Sequence, residues 1–437
     1  EARPRKENEM SPHPSRPAPL SRRDMFRLAG AAAAVPVLSA CAGAPTTQSS
    51  AAPGTFTVYW NAGHDYQAYR KVIAEFEQAN KVKVNLQKYQ WPDLRTRLLA
   101  DFASGTVPDL VEEPGGWVQE FAISGNARSL QDFVDRDGEA MGFPSDWQPI
   151  TVERNSYQGK VYGVQLHLTC NTLLYNKGML RDAGLEVPTT WEEFLDAARE
   201  LTKDGVYGAA LNQDYTYVHP WLAQAGVTPY NRETGAIMEP RADAIAAMQF
   251  QADLIHKHKA APVPVSSTVY SGPQKLFAAK RAAMIFTGPW DLDPITKTAP
   301  DLELGVAPPL RNKVHATQAA GVSMFVPAKA SRPELSWDFI KRVTALEVEQ
   351  AATKESGMLM PRVSWTKLPE VQSHELIKAF ADALPIAKDS TQEVRLTGQL
   401  GRWEEQLKLM YQQVIIQNEP AAEALEAFTE AAEGFLK

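Results

Sequence analysis

The chain has 437 residues, 44% hydrophobic and 22% charged, a globular balance that excludes a mostly disordered polymer and favours two domains over one core. Forty-five Lys and Arg against 52 Asp and Glu give a formal charge of −7, which argues against a partner bound through nucleic-acid phosphates. Two cysteines, Cys41 and Cys170, allow at most one disulfide and exclude both a disulfide scaffold and a multi-cysteine zinc module.

The first element is an address. Arg22 and Arg23 precede the apolar run 28–38, and Ser39, Ala40 and Cys41 come after it, the layout of a secretory signal. Eleven residues are too few to span a hydrocarbon layer, which takes about twenty. Arg22-Arg23 resembles a twin-arginine export motif, with Met25 and Phe26 only loosely matching the Phe-Leu usual after the pair. Leu38-Ser39-Ala40-Cys41 resembles a bacterial lipobox, which implies that Cys41 is acylated and becomes the mature N-terminus. Residues 1–40 are then the export signal, and residues 41–54, without charge or large apolar groups, a flexible tether. Residues 1–40 hold seven Lys and Arg and four Asp and Glu, so the exported 397 residues carry −10 and one free thiol, Cys170.

The body alternates strand and helix. Phe56, Val58 and Trp60 alternate with Thr57 and Tyr59, a period of two, and Tyr69, Val72, Ile73 and Phe76 come next at helical spacing. Val82, Val84 and Leu86 mark a second strand, Leu94, Leu98, Leu99 and Phe102 a second helix, and residues 109–111 a third strand. Further strands are expected at 162–168, 173–175, 207–211 and 282–286. Thr190 and Glu193 form a capping box before Trp191 and Phe194, and Ser331 and Glu334 are placed to open another helix. From about Pro369 the chain reads as mostly helical. Strands separated by helices of this length give an α/β fold with a parallel sheet.

Chemistry motifs are absent: no nucleophile elbow, no phosphate-binding glycine loop and no dinucleotide fingerprint occurs. His256 and His258, two apart, cannot share a metal on one helix face. No cofactor, metal or catalytic residue is expected. Aromatic and polar residues instead gather where strands should end: Trp60-Asn61 with His64-Asp65, Glu112-Glu113 with Trp117, Tyr215 with Tyr217, and Trp290 after Gly288-Pro289. Open α/β sheets bind ligands at the carboxyl ends of their strands. Aromatic faces there can stack on a sugar ring, while Asn, His, Asp and Glu bond its hydroxyls.

An ordered series of landmarks carries a resemblance: residues 157–164, Leu174-Tyr175-Asn176-Lys177, Ala183-Gly184-Leu185, Trp191 to Phe194, Phe277 to Met284, Gly288-Pro289-Trp290, Gly305 to Pro309, Ala320-Gly321-Val322, Trp337 to Ile340 and Gly357 to Pro361. From about Phe56 to Lys437 the chain resembles the sugar-binding, maltose-binding-protein-like solute-binding proteins of bacterial ABC importers. The resemblance implies a periplasmic-binding-protein fold of type II kind, with two discontinuous α/β lobes, a hinge and a ligand cleft between them. It places one lobe at 55–167 with 309–353 and the other at 171–306 with 357–437, the crossings lying near 167–171, 306–309 and 353–357.

Matched position by position, it implies a binding site of Trp60, Asn61, His64, Asp65, Glu112, Glu113 and Trp117 from one lobe and Tyr215, Tyr217 and Trp290 from the other. It adds Gly321 as a point of backbone approach, Arg362 after the Pro361 landmark, and Trp403. Two acids and two glycines at 112–117 depart from the maltodextrin-binding pattern. The expected protein is no enzyme. It is a monomer, held at the outer face of the bacterial cell membrane by its lipid anchor only, that captures a sugar or oligosaccharide and delivers it to membrane permease subunits. It takes no nucleic acid. Two other readings stay open: the same fold binding a glycerol phosphate ester or other anion, with Arg362 as its cation, and, more remotely, a secreted glycosidase built on Glu112 or Glu113 with Asp65.

Overall fold

The computed structural model describes residues 54–264 and 272–436. The expected signal with Arg22 and Arg23, the lipidation point Cys41 and the tether up to residue 53 lie outside the described residues. Fourteen strands are described: β1 (Thr55–Asn61), β2 (Lys83–Tyr89), β3 (Leu110–Glu113), β4 (Ser156–Tyr157), β5 (Lys160–Val161), β6 (Gly163–Cys170) and β7 (Thr172–Asn176), then β8 (Tyr207–Ala210), β9 (Thr228–Tyr230), β10 (Ile237–Glu239), β11 (Ala282–Thr287), β12 (Leu304–Val306), β13 (Thr317–Phe325) and β14 (Ala387–Lys388).

They build two main sheets. In the first, β2, β1 and β3 run parallel, and the long β13 joins them antiparallel, carrying β6 on its other side and β14 at its start. The second has the order β12-β7-β11-β8. Two short hairpins, β4–β5 and β9–β10, stand apart. The chain passes from the first sheet to the second at Asn171, between β6 and β7, and returns between β12 and β13. Strand alternation feeds two apolar cores. Phe56, Val58, Trp60, Leu174 and Ile285 enter one, while Tyr59, Val111, Leu173, Met284 and Phe286 enter the other. Sheets covered by helices on both faces bury alternate residues on opposite sides.

Local signals account for most elements. Helix Gln67–Asn80 buries Tyr69, Val72 and Phe76 against Phe56 and Phe339. The capping box at Thr190 is formed in full, with the Glu193 side chain returned to the backbone of Thr190. In helix Trp91–Ser104, Leu94 and Leu98 turn inward, but Leu99 is exposed. The Ser331 cap is a correction. The helix starts at Pro333 behind Arg332, without a side-chain cap. The Arg332 guanidinium instead ion-pairs with Asp109, and Ser336 donates to the Asp109 carbonyl, so a tertiary tie replaces a local one.

Past residue 357 the chain touches both sheets: Arg362 donates to the Met141 carbonyl and ion-pairs with Asp146, β14 adds to the first sheet, and Glu375 ion-pairs with Lys177 just after β7. Helices Leu400–Tyr411 and Ala421–Leu436 follow, the latter packed on helix Arg241–His256. Among the described residues no helix is long and apolar enough to cross a membrane.

Candidate functional site

Strands β1 and β3 end side by side, and their last residues turn toward each other. Glu112, fully buried on β3, accepts the backbone N–H of Asn61 at 2.6 Å with Oε2. Its Oε1 lies 2.6 Å from Nδ1 of His64, whose side chain is 12% exposed. The Asn61 side chain accepts the Gly63 N–H and so holds the turn that presents His64. His167, buried on β6, stands edge-on to His64 with ring centroids 5.0 Å apart, and its Nε2 meets the Tyr69 hydroxyl at 2.6 Å. Burial pushes the His167 imidazole far down, so it is neutral near pH 7. One nitrogen of each histidine and one oxygen of Glu112 lie within 4.8 Å of one another.

Glu113 faces the other way, as neighbours in a strand must. Its Oε2 accepts the N–H groups of Gly116 and Trp117 at 2.9 and 2.7 Å, which folds the glycine turn and fixes the Trp117 indole. Burial raises the Glu113 carboxyl, opposed by those two N–H groups and by Arg154. Gly115 takes φ +77° and passes close to Gly321, where a Cβ would stand 3.0 Å from the Gly321 carbonyl. Gly321 has φ +139°, and a Cβ there would fall 2.0 Å from the His167 carbonyl, so only glycine fits.

Behind this turn lies a buried charge network. Asp389 sits between Arg154, with Nε at 3.1 Å, and Arg395, which donates from Nη1 at 2.8 Å and also from Nη2. Burial alone would raise the Asp389 carboxyl, but the Arg395 and Arg154 guanidiniums outweigh it and hold it well below the usual carboxylate range. Arg395 Nε donates to Gln119, which ties the network to the helix after Trp117.

The facing residues come from the second sheet. Trp290, half-buried, comes just after β11, and its ring lies over Gly288, where a Cβ would stand 2.2 Å from it. The buried Tyr217 hydroxyl lies 3.4 Å from the Thr287 hydroxyl, which donates to Asp291 at 2.6 Å. Burial lifts the Asp291 carboxyl to about 6.

Two sets of contacts bring these groups opposite the first-lobe residues. The Tyr66 hydroxyl lies beside Ser356 and senses the Asp293 charge, while Gly357 packs on Leu292 and Pro289. Arg95, with its guanidinium 5.2 Å from the Trp117 ring centre, pairs with Glu120 and faces Glu404 and Tyr215. Between them run the rings of His64, Trp91 and Trp117, spaced 6.0 and 6.5 Å. Trp91 is missing from the site expected on sequence because it opens a helix and ends no strand.

Three expected ligand residues are corrected. Trp60 is 1% exposed, packs edge-on against Tyr69 and Phe339, and spends its N–H on the His64 carbonyl. Trp403 is 0% exposed, wedged against Phe428 and Tyr230. Arg362 lies 3.9 Å over the Trp147 ring and donates to the carbonyls of Thr344 and Met141. In each case a large side chain meets protein on every side, which strand-end position alone does not reveal. Asp65 is partly exposed and ion-paired with Arg70 and Lys88, which hold its carboxyl well below the usual range.

Glu404 makes stability depend on pH. Burial, with Arg95 opposing and Glu120 and Asp214 adding like charge, pushes its carboxyl up to about 7. An ordinary Glu in the unfolded chain loses its proton near 4.5. Between those values the folded form binds the extra proton, so stability is full below about pH 4.5 and falls as pH rises toward 7. The expected loss is up to about 3 kcal/mol, and Glu404→Gln should flatten most of it. Urea midpoints of both proteins at pH 5, 6 and 7 check this; equal slopes would refute it.

The family model for bacterial extracellular solute-binding protein matches residues 61–349. The galactooligosaccharide-binding protein of Bacillus subtilis is 22% identical over 356 residues, covering 79% of this chain and 82% of its own. The solute-binding protein of Thermotoga lettingae, solved with α-D-tagatose, superposes with a TM-score of 0.79 at 23% identity over 88% of this chain and all of its own. The GacH receptor of Streptomyces glaucescens, solved unliganded and with acarbose, gives a TM-score of 0.78 at 25% identity over 88% of this chain and 98% of its own.

Proposed function

The chain belongs to the family of bacterial extracellular solute-binding proteins, and on that premise we propose that it captures a carbohydrate between its lobes and delivers it to the permease of an ABC importer. Acylated Cys41 anchors it outside the cell membrane, and it acts as a monomer. The observation that carries the reading is the pair of facing surfaces: a run of His64, Trp91 and Trp117 rings on one lobe and a half-buried Trp290 beside Tyr217 and Tyr215 on the other. Flat rings on both sides suit a pyranose, whose faces are apolar and whose edge hydroxyls need both donors and acceptors. Asn61, His64 and the backbone beside Gly321 supply those polar partners. Capture favours the closed form because only that form offers both surfaces to the ligand.

An anionic solute lacks its expected cation, since Arg362 is committed to Thr344, Met141 and Asp146. A glycosidase built on Glu112 or Glu113 with Asp65 lacks a free carboxylate pair, since Glu112 holds the Asn61 N–H, Glu113 those of Gly116 and Trp117, and Asp65 is ion-paired with Arg70 and Lys88.

Isothermal titration against a panel of mono- and oligosaccharides is expected to find at least one ligand. Trp290→Ala should weaken it about 5- to 30-fold, as removal of a stacked ring costs about 1–2 kcal/mol. A folded protein that binds nothing in the panel would count against the carbohydrate reading.

A further inference from the structure

The meeting point of β1, β3 and β6 has features that hydroxyl recognition alone does not require. Glu112 is fully buried, and among the described residues its carboxylate is paired with no Lys or Arg, only with His64 and the Asn61 N–H. A buried carboxylate facing so little positive charge is costly. Nδ1 of His167 is likewise buried with no hydrogen-bond partner among the described residues. Three ligand-type atoms converge within 4.8 Å, from three separate stretches of chain.

Each donor is also held from behind. The Tyr69 hydroxyl engages Nε2 of His167, leaving its other nitrogen free. The Asn61 N–H holds Oε2 of Glu112, leaving Oε1 toward the histidines. Backbone ties fix His64: its N–H donates to the Asn61 carbonyl, and its own carbonyl accepts from the Trp60 indole. Such outer partners orient imidazole and carboxylate ligands in metal sites.

We infer that His64, Glu112 and His167 form a binding site for one divalent transition-metal ion of the zinc class. Two imidazole nitrogens and one carboxylate oxygen suit zinc and its neighbours, whereas calcium and magnesium need mostly oxygen ligands. Bonds of roughly 2.1 Å set tetrahedral ligands about 3.4 Å apart, so the 2.6 Å His64–Glu112 contact opens by about 0.8 Å as the ion enters. His64 ligates through Nδ1 as a neutral imidazole, its ring proton then carried on Nε2. Three protein ligands leave a fourth position, reached past the partly exposed His64, for water or a solute oxygen.

The inference does not rest on the carbohydrate reading, and its test contains no sugar. The full chain, stripped with chelator and desalted, is titrated with zinc by calorimetry against a competing chelator, and cobalt is followed by its visible absorption. One ion per chain is expected, with a d–d spectrum of mixed nitrogen and oxygen ligands, and no comparable uptake of calcium or magnesium. Loss of an outer partner alone weakens metal sites about 10–100-fold, so His64→Ala and Glu112→Gln should each cost at least about 100-fold. His64 is the safer variant because its side chain reaches solvent, and a cooperative unfolding transition without metal checks that it folds. No stoichiometric zinc binding by the folded parent, or binding undiminished in both variants, overturns the assignment.

Discussion

Replacing Asp389 by Asn is expected to remove about 3–5 kcal/mol of folding stability, out of the roughly 5–15 kcal/mol that native proteins possess. The shape is conserved, so the effect isolates charge. The Asp389 side chain is 2% exposed and lies between Arg154 and Arg395, the latter 0% exposed. With the carboxylate gone, two buried guanidiniums repel each other, with Glu113 near Arg154 and Glu404 near Arg395 left to oppose them. The network also joins distant stretches of chain, because Arg395 binds Gln119 and Arg154 closes the helix before β4. Urea unfolding should show a lower midpoint with an unchanged slope; a loss under about 1 kcal/mol would sink the idea. The sign with pH is fixed as well. The folded Asp389 titrates below its unfolded value, so its stabilisation is full above about pH 4 and disappears as pH falls. The variant should therefore show a flatter acid limb than the parent. Exchanging the whole network for apolar residues of similar volume should cost far less than breaking one member, since no charge is then left unpaired.

Gly321→Ala is expected to cost about 3 kcal/mol or more, through a collision that side-chain motion cannot relieve. The new Cβ would stand 2.0 Å from the His167 carbonyl and 2.9 Å from Nε2 of Gln165. Backbone retreat is resisted because β13 and β6 are paired at this point, Gly321 opposite Leu168, with a register shift one residue on. Gly125→Ala supplies the control. It too has a positive φ, +72°, but nothing lies within 4 Å of its Cβ, so it should lose only about 1 kcal/mol. Equal losses at both sites would show that φ strain and not the contact decides. Because Gly321 lies against His167 and the Gly115 turn, the variant should also bind zinc and carbohydrate more weakly at temperatures where it remains folded. Thermal unfolding and titration calorimetry on the same samples separate the two effects.

The sequence and the structure agree where short-range physics governs. The alternation in β1, the face of helix Gln67–Asn80 and the Thr190 capping box arise from residues a few positions apart. They part where a local pattern has a distant competitor. Ser331 has the composition of a cap, yet Asp109, over two hundred residues earlier in the chain, claims Arg332 and Ser336 instead. Val82 to Leu86 alternate as a half-buried strand should, but β2 has no fully buried residue because it lies at the sheet edge.

The site divides along the same line. Sequence by itself determined that aromatic and polar residues collect where strands end, and in which order the landmarks of an α/β solute-binding chain occur. Only the tertiary structure decided their use. Trp60 and Trp403 became packing, Trp91 joined the rings of His64 and Trp117, and Arg362 became a tie to Thr344 and Met141. The structure also brought His64, Glu112 and His167 together, from positions that no metal-binding spacing connects. The physical reason is range: periodicity, caps and turns are set by neighbours along the chain. Burial and charge pairing are set by neighbours across it, and those depend on the order in which strands assemble.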